Sequence, residues 1–228
     1  EGVHDLYFVF KGRKGVRLMS FDWWQFRGIE ECNMPIFTTK YTADPSPLAV
    51  GDTLFLYVSH DAHPEDIPDA NERNSAGFFM YDWLLYSTTD MVNWTDHGKI
   101  FSLDDIEWAD DRAWAPQAVE RNGKFYLYCP VHKTNGGMAI AVGVSDSPTG
   151  PFKDLGYPIV TQSPTGHGQQ IDVDVFTDPV SGKPYLYWGN GYMAGAELNP
   201  DMVSVKKNTI TVMTPKGGTL KDYAFREA

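Results

Sequence analysis

A strand pattern that recurs three times limits the folds open to this chain. Residues 53–58, 124–129 and 184–188 each join aromatic to aliphatic residues, and each follows a turn signal such as Asn122-Gly123. Short runs of this kind, bounded by turns, are typical of β-strands. The copies lie roughly 55 to 70 residues apart, a period that indicates repeated β-units rather than single hairpins.

A second kind of strand follows the first two copies. Residues 84–90 and 140–146 each run into a polar turn that carries an aromatic residue, and residues 194–203 form a weaker third copy. No stretch shows sustained helical periodicity. The sequence therefore predicts an all-β fold made of four-stranded blades around a central channel. The polar segment 60–77 is predicted to be a surface loop near the first blade.

The N-terminal residues differ from the repeats and predict a separate piece of structure. Residues 5–10 and 16–26 are aromatic strands joined by a Gly-rich turn, which is the pattern of a β-hairpin. Residues 28–35 are polar and irregular. We therefore expect a hairpin over residues 1–27, a linker over 28–35 and the repeated β-domain over 36–228.

Composition restricts the partners of the chain. The net charge of −11 at pH 7 argues against a nucleic-acid partner, which requires a basic face. No apolar run is long enough to span a membrane. Seven Trp and twelve Tyr suit stacking on sugar rings, although each of them also fits a strand core. Cys32 and Cys129 do not form a disulfide scaffold, and we interpret them as unpaired.

Two aspartates have unusual local settings. Asp44 lies in Thr-Ala-Asp-Pro-Ser-Pro, where the prolines favour extended backbone and predict a strand start that faces the channel. The alternative is an ordinary Asp-Pro turn. Asp172 alternates with apolar residues and shares one predicted strand face with Asp174. That face is either solvated or directed into the channel.

Four further residues are candidates for the site. Glu227 is the penultimate residue, and by itself it indicates only a solvated terminal glutamate. Trp114 opens the second unit as the Asp44 motif opens the first, so it lines a pocket or packs in the core. His167 lies in a Gly-rich loop and contacts substrate, a metal or neither. Trp188 ends the third aromatic strand. No zinc-ligand spacing, P-loop or nucleophile elbow is present.

Four motifs occur together in an order that resembles glycoside hydrolase family 43. They are Tyr-Thr-Ala-Asp44-Pro, Trp114-Ala-Pro, Ile-Asp172 followed by Tyr-Leu-Tyr-Trp-Gly189, and Phe-Arg-Glu227-Ala. The resemblance covers residues 33–228. It implies a five-bladed β-propeller and an inverting hydrolase that removes arabinose or xylose from plant cell-wall arabinoxylan, arabinan or xylo-oligosaccharides.

The resemblance also implies roles for the candidates. Asp44 would be the general base, Glu227 the general acid, and Asp172 the neighbour that raises the pKa of the acid. Trp114, His167 and Trp188 would bind substrate. Many family members have proline directly after the second aspartate, where this chain has valine.

The resemblance leads to further expectations about completeness. Residues 1–27 are similar to the last strands of a family 6 carbohydrate-binding module, a β-sandwich. Five blades need more residues than follow the linker, so we expect an incomplete propeller of about three and a half blades, with Glu227 near its end.

We expect a plant polysaccharide or oligosaccharide as substrate, a secreted or cell-surface location in a bacterium, and no required cofactor. Relatives of this kind allow a calcium ion, but the sequence offers no complete set of oxygen ligands for one. Two alternatives stay open: a propeller that binds carbohydrate without cleaving it, and a propeller glycosidase with another glycan as substrate.

Overall fold

The described part of the chain is built of antiparallel β-sheets. The computed structural model describes residues 36–63 and 78–213, and those from Phe37 onward belong to one compact unit. The first sheet has the order β1-β2-β3-β4, with strands at Tyr41–Val50, Thr53–Asp61, Met80–Thr88 and Thr95–Ser102.

The second and third sheets repeat this meander. In the second sheet, β5 and β6 both pair with β7, which is followed by β8 and β9. Strands β5 to β9 lie at Ala109–Asp111, Gln117–Arg121, Lys124–Lys133, Met138–Ser145 and Lys153–Asp154. The third sheet has the order β10-β11-β12-β13, with strands at Asp174–Thr177, Pro184–Trp188, Ala194–Glu197 and Thr211–Val212. Short 3₁₀ turns occupy Leu103–Asp105 and Lys207–Thr209.

Local sequence explains the tight hairpins. Between β6 and β7, Asn122 and Gly123 have φ values of 55° and 75°, and Arg121 pairs with Lys124. Two successive positive φ values give a two-residue turn whose twist matches that of the flanking strands, and Asn-Gly is the preferred sequence for it.

The sheets stack face to face on two hydrophobic cores. The first core combines Tyr57 and Trp83 of the first sheet with Leu127 of the second. The second core combines Tyr128 of the second sheet with Leu186 of the third. Strand β7 contributes to both cores because successive side chains point to opposite faces, and this explains its nearly continuous apolar sequence.

Strands β1, β6 and β10 meet along one edge of the stack, where β6 contacts both of the others. A buried polar link joins the first two sheets there. Ser46 is 2% exposed; its hydroxyl donates to Gln117 Oε1 at 2.9 Å and accepts the Ala118 N–H at 2.9 Å.

The predicted all-β fold and its repeating strands are confirmed. The three aromatic patterns lie in β2, β7 and β11, and the strands predicted after them correspond to β3, β8 and β12. The loop predicted from residue 60 was wrong at its start, because β2 continues to Asp61. Residues 1–35, which include the predicted hairpin, linker and Cys32, lie outside the described residues.

Two further expectations can be compared with the described residues. Cys129 is a buried free thiol in the first core, and burial raises its pKa far above the ordinary value. Within residues 36–63 and 78–213 we find no helix of the length and hydropathy that a membrane crossing requires.

Candidate active site

A β-bulge in the first sheet holds Asp44. Ala43 pairs with Ser59 and Ser46 pairs with Tyr57, so Asp44 and Pro45 together lie opposite one residue of β2. A bulge of this kind bends its strand and redirects the side chain of the extra residue. Asp44 is therefore exposed, whereas Ser46, two residues later in the same strand, is buried.

The same arrangement holds Asp172 in the third sheet. The Gly189 N–H donates to Ile171 O at 2.9 Å, and Asp174 pairs with Tyr187. Asp172 and the valine after it consequently lie opposite Trp188 alone. The two aspartates thus occupy equivalent positions in two sheets.

The second sheet has an equivalent position without a carboxylate. The Trp114 N–H donates to Pro130 O at 3.2 Å, and Gln117 pairs with Tyr128. Between these pairs, Ala115 and Pro116 face a single residue of β7, as Asp44 and Pro45 face one of β2. Ala115 is therefore the counterpart of the two aspartates.

Both aspartates have left-handed backbone conformations, with φ values of 52° for Asp44 and 54° for Asp172. This region costs most L-residues roughly 1–2 kcal/mol, and aspartate enters it more readily than most because its short polar side chain bonds locally. The expected extended backbone at Asp44 was wrong, since the bulge overrides the preference that a following proline imposes.

The strand expected around Asp172 begins later than predicted, although the expected alternation of burial is present. Strand β10 begins only at Asp174, and Asp172 precedes it in the bulge. The apolar half of the pattern was correct, because Ile171, Val173 and Val175 are 6%, 7% and 8% exposed. Asp174 is exposed to solvent, whereas Asp172 is half-buried.

One cavity of about 280 Å³ collects residues from all three bulges. This volume is near the lower end of ligand pockets, which are roughly 300–1,000 Å³, and it suits one small ring better than a long chain. The residues that precede the three bulges and line the cavity are Ala43, Trp114 and Ile171, and the first residues of the bulges are Asp44, Ala115 and Asp172. Three residues near the ends of β2 and β3 complete the lining: Asp61, Phe78 and Met80.

Hydrogen bonding and charge distinguish the carboxylates of the cavity. The hydroxyl of the fully buried Ser59 donates to Asp44 Oδ2 at 2.6 Å. This hydrogen bond fixes the orientation of the Asp44 carboxylate. Burial raises the pKa of Asp61 above its ordinary value, the charge of Asp44 raises that pKa further, and His60 opposes both effects.

Trp114 presents a fixed aromatic surface to the cavity. Its ring meets Phe78 edge-on with centroids 6.2 Å apart, and the Arg112 guanidinium lies 5.4 Å from its centroid. The Trp83 indole N–H donates to the Trp114 carbonyl at 2.8 Å, which anchors the backbone at the bulge. A half-buried ring held in this way suits packing against the apolar face of a sugar.

The structure separates the other predicted residues from this cavity. His167 is exposed and lines a shallow cavity with Ser163 and Gln170. Trp188 is 1% exposed, packs in the second core and borders a cavity near Tyr157. Glu227 lies outside the described residues. Of the six predicted site residues, Asp44, Asp172 and Trp114 therefore line one cavity.

Sequence reasoning missed several residues of the cavity. Asp61 was assigned to a loop, although the unbroken β-pattern before it was the signal that could have extended β2. Ala115 was detectable from the parallel between Ala-Asp-Pro and Trp-Ala-Pro. Phe78 and Met80 carry no local signal, because they reach the cavity through the pairing of β2 with β3.

No group of three or more His, Cys, Asp or Glu side chains that could hold a metal ion is found among residues 36–63 and 78–213. The site is a small pocket with three carboxyl groups and an aromatic wall. Such a pocket is suited to acid–base chemistry on a small polar ring.

Comparison with known proteins identifies the family. The sequence pattern of Glycosyl hydrolases family 43 matches residues 32–228. The chain belongs to this family. The all-β fold described above is the fold of its solved members. A β-xylosidase/α-arabinofuranosidase from a compost microbial metagenome, crystallised with xylotriose in a calcium-free form, is 30% identical with a TM-score of 0.66, over 78% of this chain and 60% of that chain.

Two curated relatives are similar in sequence. Xylosidase/arabinosidase 43A of Humicola insolens is 36% identical over 158 residues, which make up 68% of this chain and 45% of that protein. The arabinoxylan arabinofuranohydrolase of Bacillus subtilis (strain 168) is 32% identical over 214 residues, 79% of this chain and 40% of that protein. The chain thus spans less than half the length of these relatives.

Proposed function

We propose that this chain acts as an inverting glycoside hydrolase that releases arabinose or xylose from arabinoxylan, arabinan or xylo-oligosaccharides. The observation that carries the proposal is the shared cavity, where equivalent bulges of two sheets contribute Asp44 and Asp172 beside Trp114. The names of the relatives, which include xylosidase/arabinosidase and arabinoxylan arabinofuranohydrolase, support the choice of substrate.

Asp44 is the proposed general base. A general base takes a proton from water, and the hydrogen bond from Ser59 at 2.6 Å holds the Asp44 carboxylate in place within the cavity. In an inverting reaction the water attacks the anomeric carbon as the glycosidic bond breaks, and the leaving oxygen takes a proton from the acid. Base and acid stand roughly 6.5–9.5 Å apart so that the water fits between them.

Glu227 is the proposed acid, and Asp172 the carboxylate that raises its pKa by like-charge repulsion. The assignment of Glu227 rests on its sequence motif, since it lies outside the described residues. Asp172 is supported by its position in the cavity. His167 and Trp188 stay as predicted substrate contacts, and neither lines this cavity.

We further propose that the three sheets are consecutive blades of a five-bladed propeller, of which residues 36–228 supply about three and a half. Residues 1–27 are proposed to be the terminal hairpin of a carbohydrate-binding module, and 28–35 its linker. Secretion or display at a bacterial cell surface is proposed on the same grounds as the polysaccharide substrate. No catalytic step is assigned to a metal ion.

The test is product analysis with the full-length protein. We expect release of arabinose or xylose from arabinoxylan or xylo-oligosaccharides, with the first-formed sugar in the anomeric configuration opposite to that of the substrate bond when followed by NMR. A galactofuranoside belongs in the substrate panel, because a relative at 29% identity is named β-D-galactofuranosidase. A first product that keeps the substrate configuration would contradict the proposed roles.

The roles of base and acid can be separated by substrate choice. Glu227→Gln should retain activity on an aryl glycoside with a good leaving group and lose it on oligosaccharides, whose leaving oxygen needs a proton. Asp44→Asn should lose both activities, since activation of water is needed for each. If Glu227→Gln lost activity equally on the two substrates, the result would contradict the role of Glu227 as the general acid.

A further inference from the structure

A cavity of about 510 Å³, which we call the seam cavity, lies between the second and third sheets. Part of its lining is the segment 157–164, which follows β9, and Trp188 at the end of β11 also lines it. The remaining residues lie between β12 and β13: Val203, Ser204, Val205, Lys207 and Ile210. The seam cavity shares no lining residue with the cavity that contains Asp44. Its volume falls within the usual range of ligand pockets, roughly 300–1,000 Å³.

Backbone hydrogen bonds to the sheets hold both sides of the seam cavity. On one side, the Ile140 N–H of β8 donates to Val160 O at 3.0 Å, and the Ile159 N–H donates to Ile140 O at 2.9 Å. On the other side, the Lys206 N–H donates to Glu197 O of β12 at 2.9 Å. The cavity therefore does not need a ligand to form it, and a preformed site avoids the cost of ordering its own segments on binding.

Much of the lining of the seam cavity is apolar or aromatic. Ile159, Val203 and Val205 pack against the second core, and Tyr157 beside them is 52% exposed. An exposed tyrosine next to an aliphatic wall is suited to the face of a ring. Trp188 is 1% exposed, and among the described residues its indole N–H has no hydrogen-bond partner.

The charge of the seam cavity is opposite to that of the chain. The chain has a net charge of −11, yet of the described residues none with a carboxylate lines this cavity, and Lys207 is its one charged lining residue. The carboxylates of the adjoining loops already have partners: Asp201 accepts the Ser204 N–H at 3.1 Å, and Glu197 is paired with Lys206. Within residues 36–63 and 78–213, Lys207 itself forms no ion pair. An unmatched ammonium group favours an anionic ligand.

Polar side chains extend the site towards the loop that carries His167. Thr161, Gln162 and Ser163 line both the seam cavity and the shallow cavity beside His167. The described lining of that shallow cavity also contains no carboxylate. The hydroxyl and amide groups at the junction both donate and accept hydrogen bonds, so they suit oxygen substituents on a ring.

We propose that the seam cavity is a second ligand site, which binds a ring that carries a carboxylate group. Tyr157 packs on the face of the ring, Lys207 pairs with the carboxylate, and Gln162 hydrogen-bonds to ring substituents. A single ammonium on a flexible stem, with no arginine in the described lining, suits a monoanion. Two kinds of compound combine these features: a uronic acid sugar and an aromatic carboxylic acid. The proposal does not depend on the hydrolase function, because the two cavities are separate.

Titration of the full-length protein with two acidic probes, methyl β-D-glucuronide and 4-hydroxybenzoate, tests the proposal by NMR or calorimetry. At least one probe should bind saturably at millimolar concentration, and its neutral counterpart, methyl β-D-glucoside or 4-hydroxybenzamide, should bind roughly fivefold more weakly. The tighter of the two acidic probes identifies the kind of compound. Absence of saturation by both probes up to about 20 mM, or equal binding of the acidic and neutral forms, would overturn the proposal.

Two substitutions place the binding in the seam cavity. Lys207→Gln should weaken the acidic probe about three- to fivefold and leave the neutral probe unchanged, since only the charge pair is lost. Tyr157→Ala should weaken both forms about three- to tenfold through loss of ring packing. Lys99→Gln and Tyr41→Ala are the matched controls, because both residues are exposed and neither lines the seam cavity. Unchanged binding in Lys207→Gln and Tyr157→Ala, or equal losses in the controls, would refute the assignment.

Discussion

At the scale of single residues, the site depends on aspartates that adopt a backbone conformation unfavourable to most side chains. Asp44 and Asp172 have φ values of 52° and 54°. The left-handed region is costly because Cβ approaches the following carbonyl oxygen, and glycine avoids this cost. The two aspartates therefore occupy backbone positions that favour glycine or asparagine when the side chain has no functional role.

This strain predicts an order of stability at Asp172. Asp172→Ala should unfold at lower urea concentration than Asp172→Gly, with a difference of about 1 kcal/mol, because both remove the carboxylate but only alanine keeps a Cβ. The order should reverse at Asp174, an exposed strand residue, where glycine weakens the strand relative to alanine. The same order at both positions would contradict the account of strain.

Asp61 predicts a pH-dependent effect on stability. Because its folded-state pKa is raised, the folded state retains the proton more strongly, and the fold loses stability as pH rises through that pKa. Asp61→Asn cannot ionise beside Asp44, so it should raise the urea midpoint at pH 7 and change it little near pH 3. Urea titrations at the two pH values measure this, and a larger gain at the lower pH would refute it.

At the scale of elements, the repeated bulge is the device that forms the site. Each bulge places one extra residue in or just before β1, β6 or β10, and the stacking of the sheets brings these residues to one cavity. The strands themselves were predictable, because aromatic runs and turns such as Asn122-Gly123 are local signals. The bulges were not, since they depend on the register between β1 and β2 or between β10 and β11.

The bulge at Asp172 predicts an unusual sensitivity at Gly189. A Cβ on Gly189 would lie 2.3 Å from Tyr192 O, and the residue has a φ of 134°. Gly189→Ala should therefore cost more than about 3 kcal/mol and disturb the hydrogen bond that closes the bulge. Gly182→Ala is the control, because nothing lies within 4 Å of its Cβ position, and it should cost about 1 kcal/mol. Comparable urea midpoints for the two variants would contradict this account.

At the scale of the whole molecule, the sheets are joined by two cores and by a buried polar link at Ser46. Ser46→Ala would leave Gln117 Oε1 and the Ala118 N–H without this partner, so we expect a loss of about 1–3 kcal/mol. Ser181→Ala is the control: this hydroxyl is bonded to Asp178 at the exposed surface, and its loss should cost below about 0.5 kcal/mol. Chemical unfolding measures both, and equal losses would show that the link between the sheets contributes little.

The sequence was informative about the fold and about half of the site, for physical reasons. Strand patterns are local, and the motifs around Asp44, Trp114 and Asp172 are short, so both could be predicted without coordinates. The positions of Asp61 and Trp188 depend on which face of which sheet meets its neighbour. That is a property of tertiary packing, which periodicity alone does not determine.

The most direct test of the central claim is the kcat/KM of Asp44→Asn in the full-length protein, measured on the arabinoxylan or xylo-oligosaccharide that the unmodified protein cleaves best. Asp52→Asn serves as control, since Asp52 is exposed in the turn between β1 and β2. We predict a loss of about 10²- to 10⁴-fold for Asp44→Asn, the contribution expected of a general base, and an unchanged value for Asp52→Asn. An Asp44→Asn variant that turns over at the normal rate would show that the cavity formed by the three bulges is not the catalytic site.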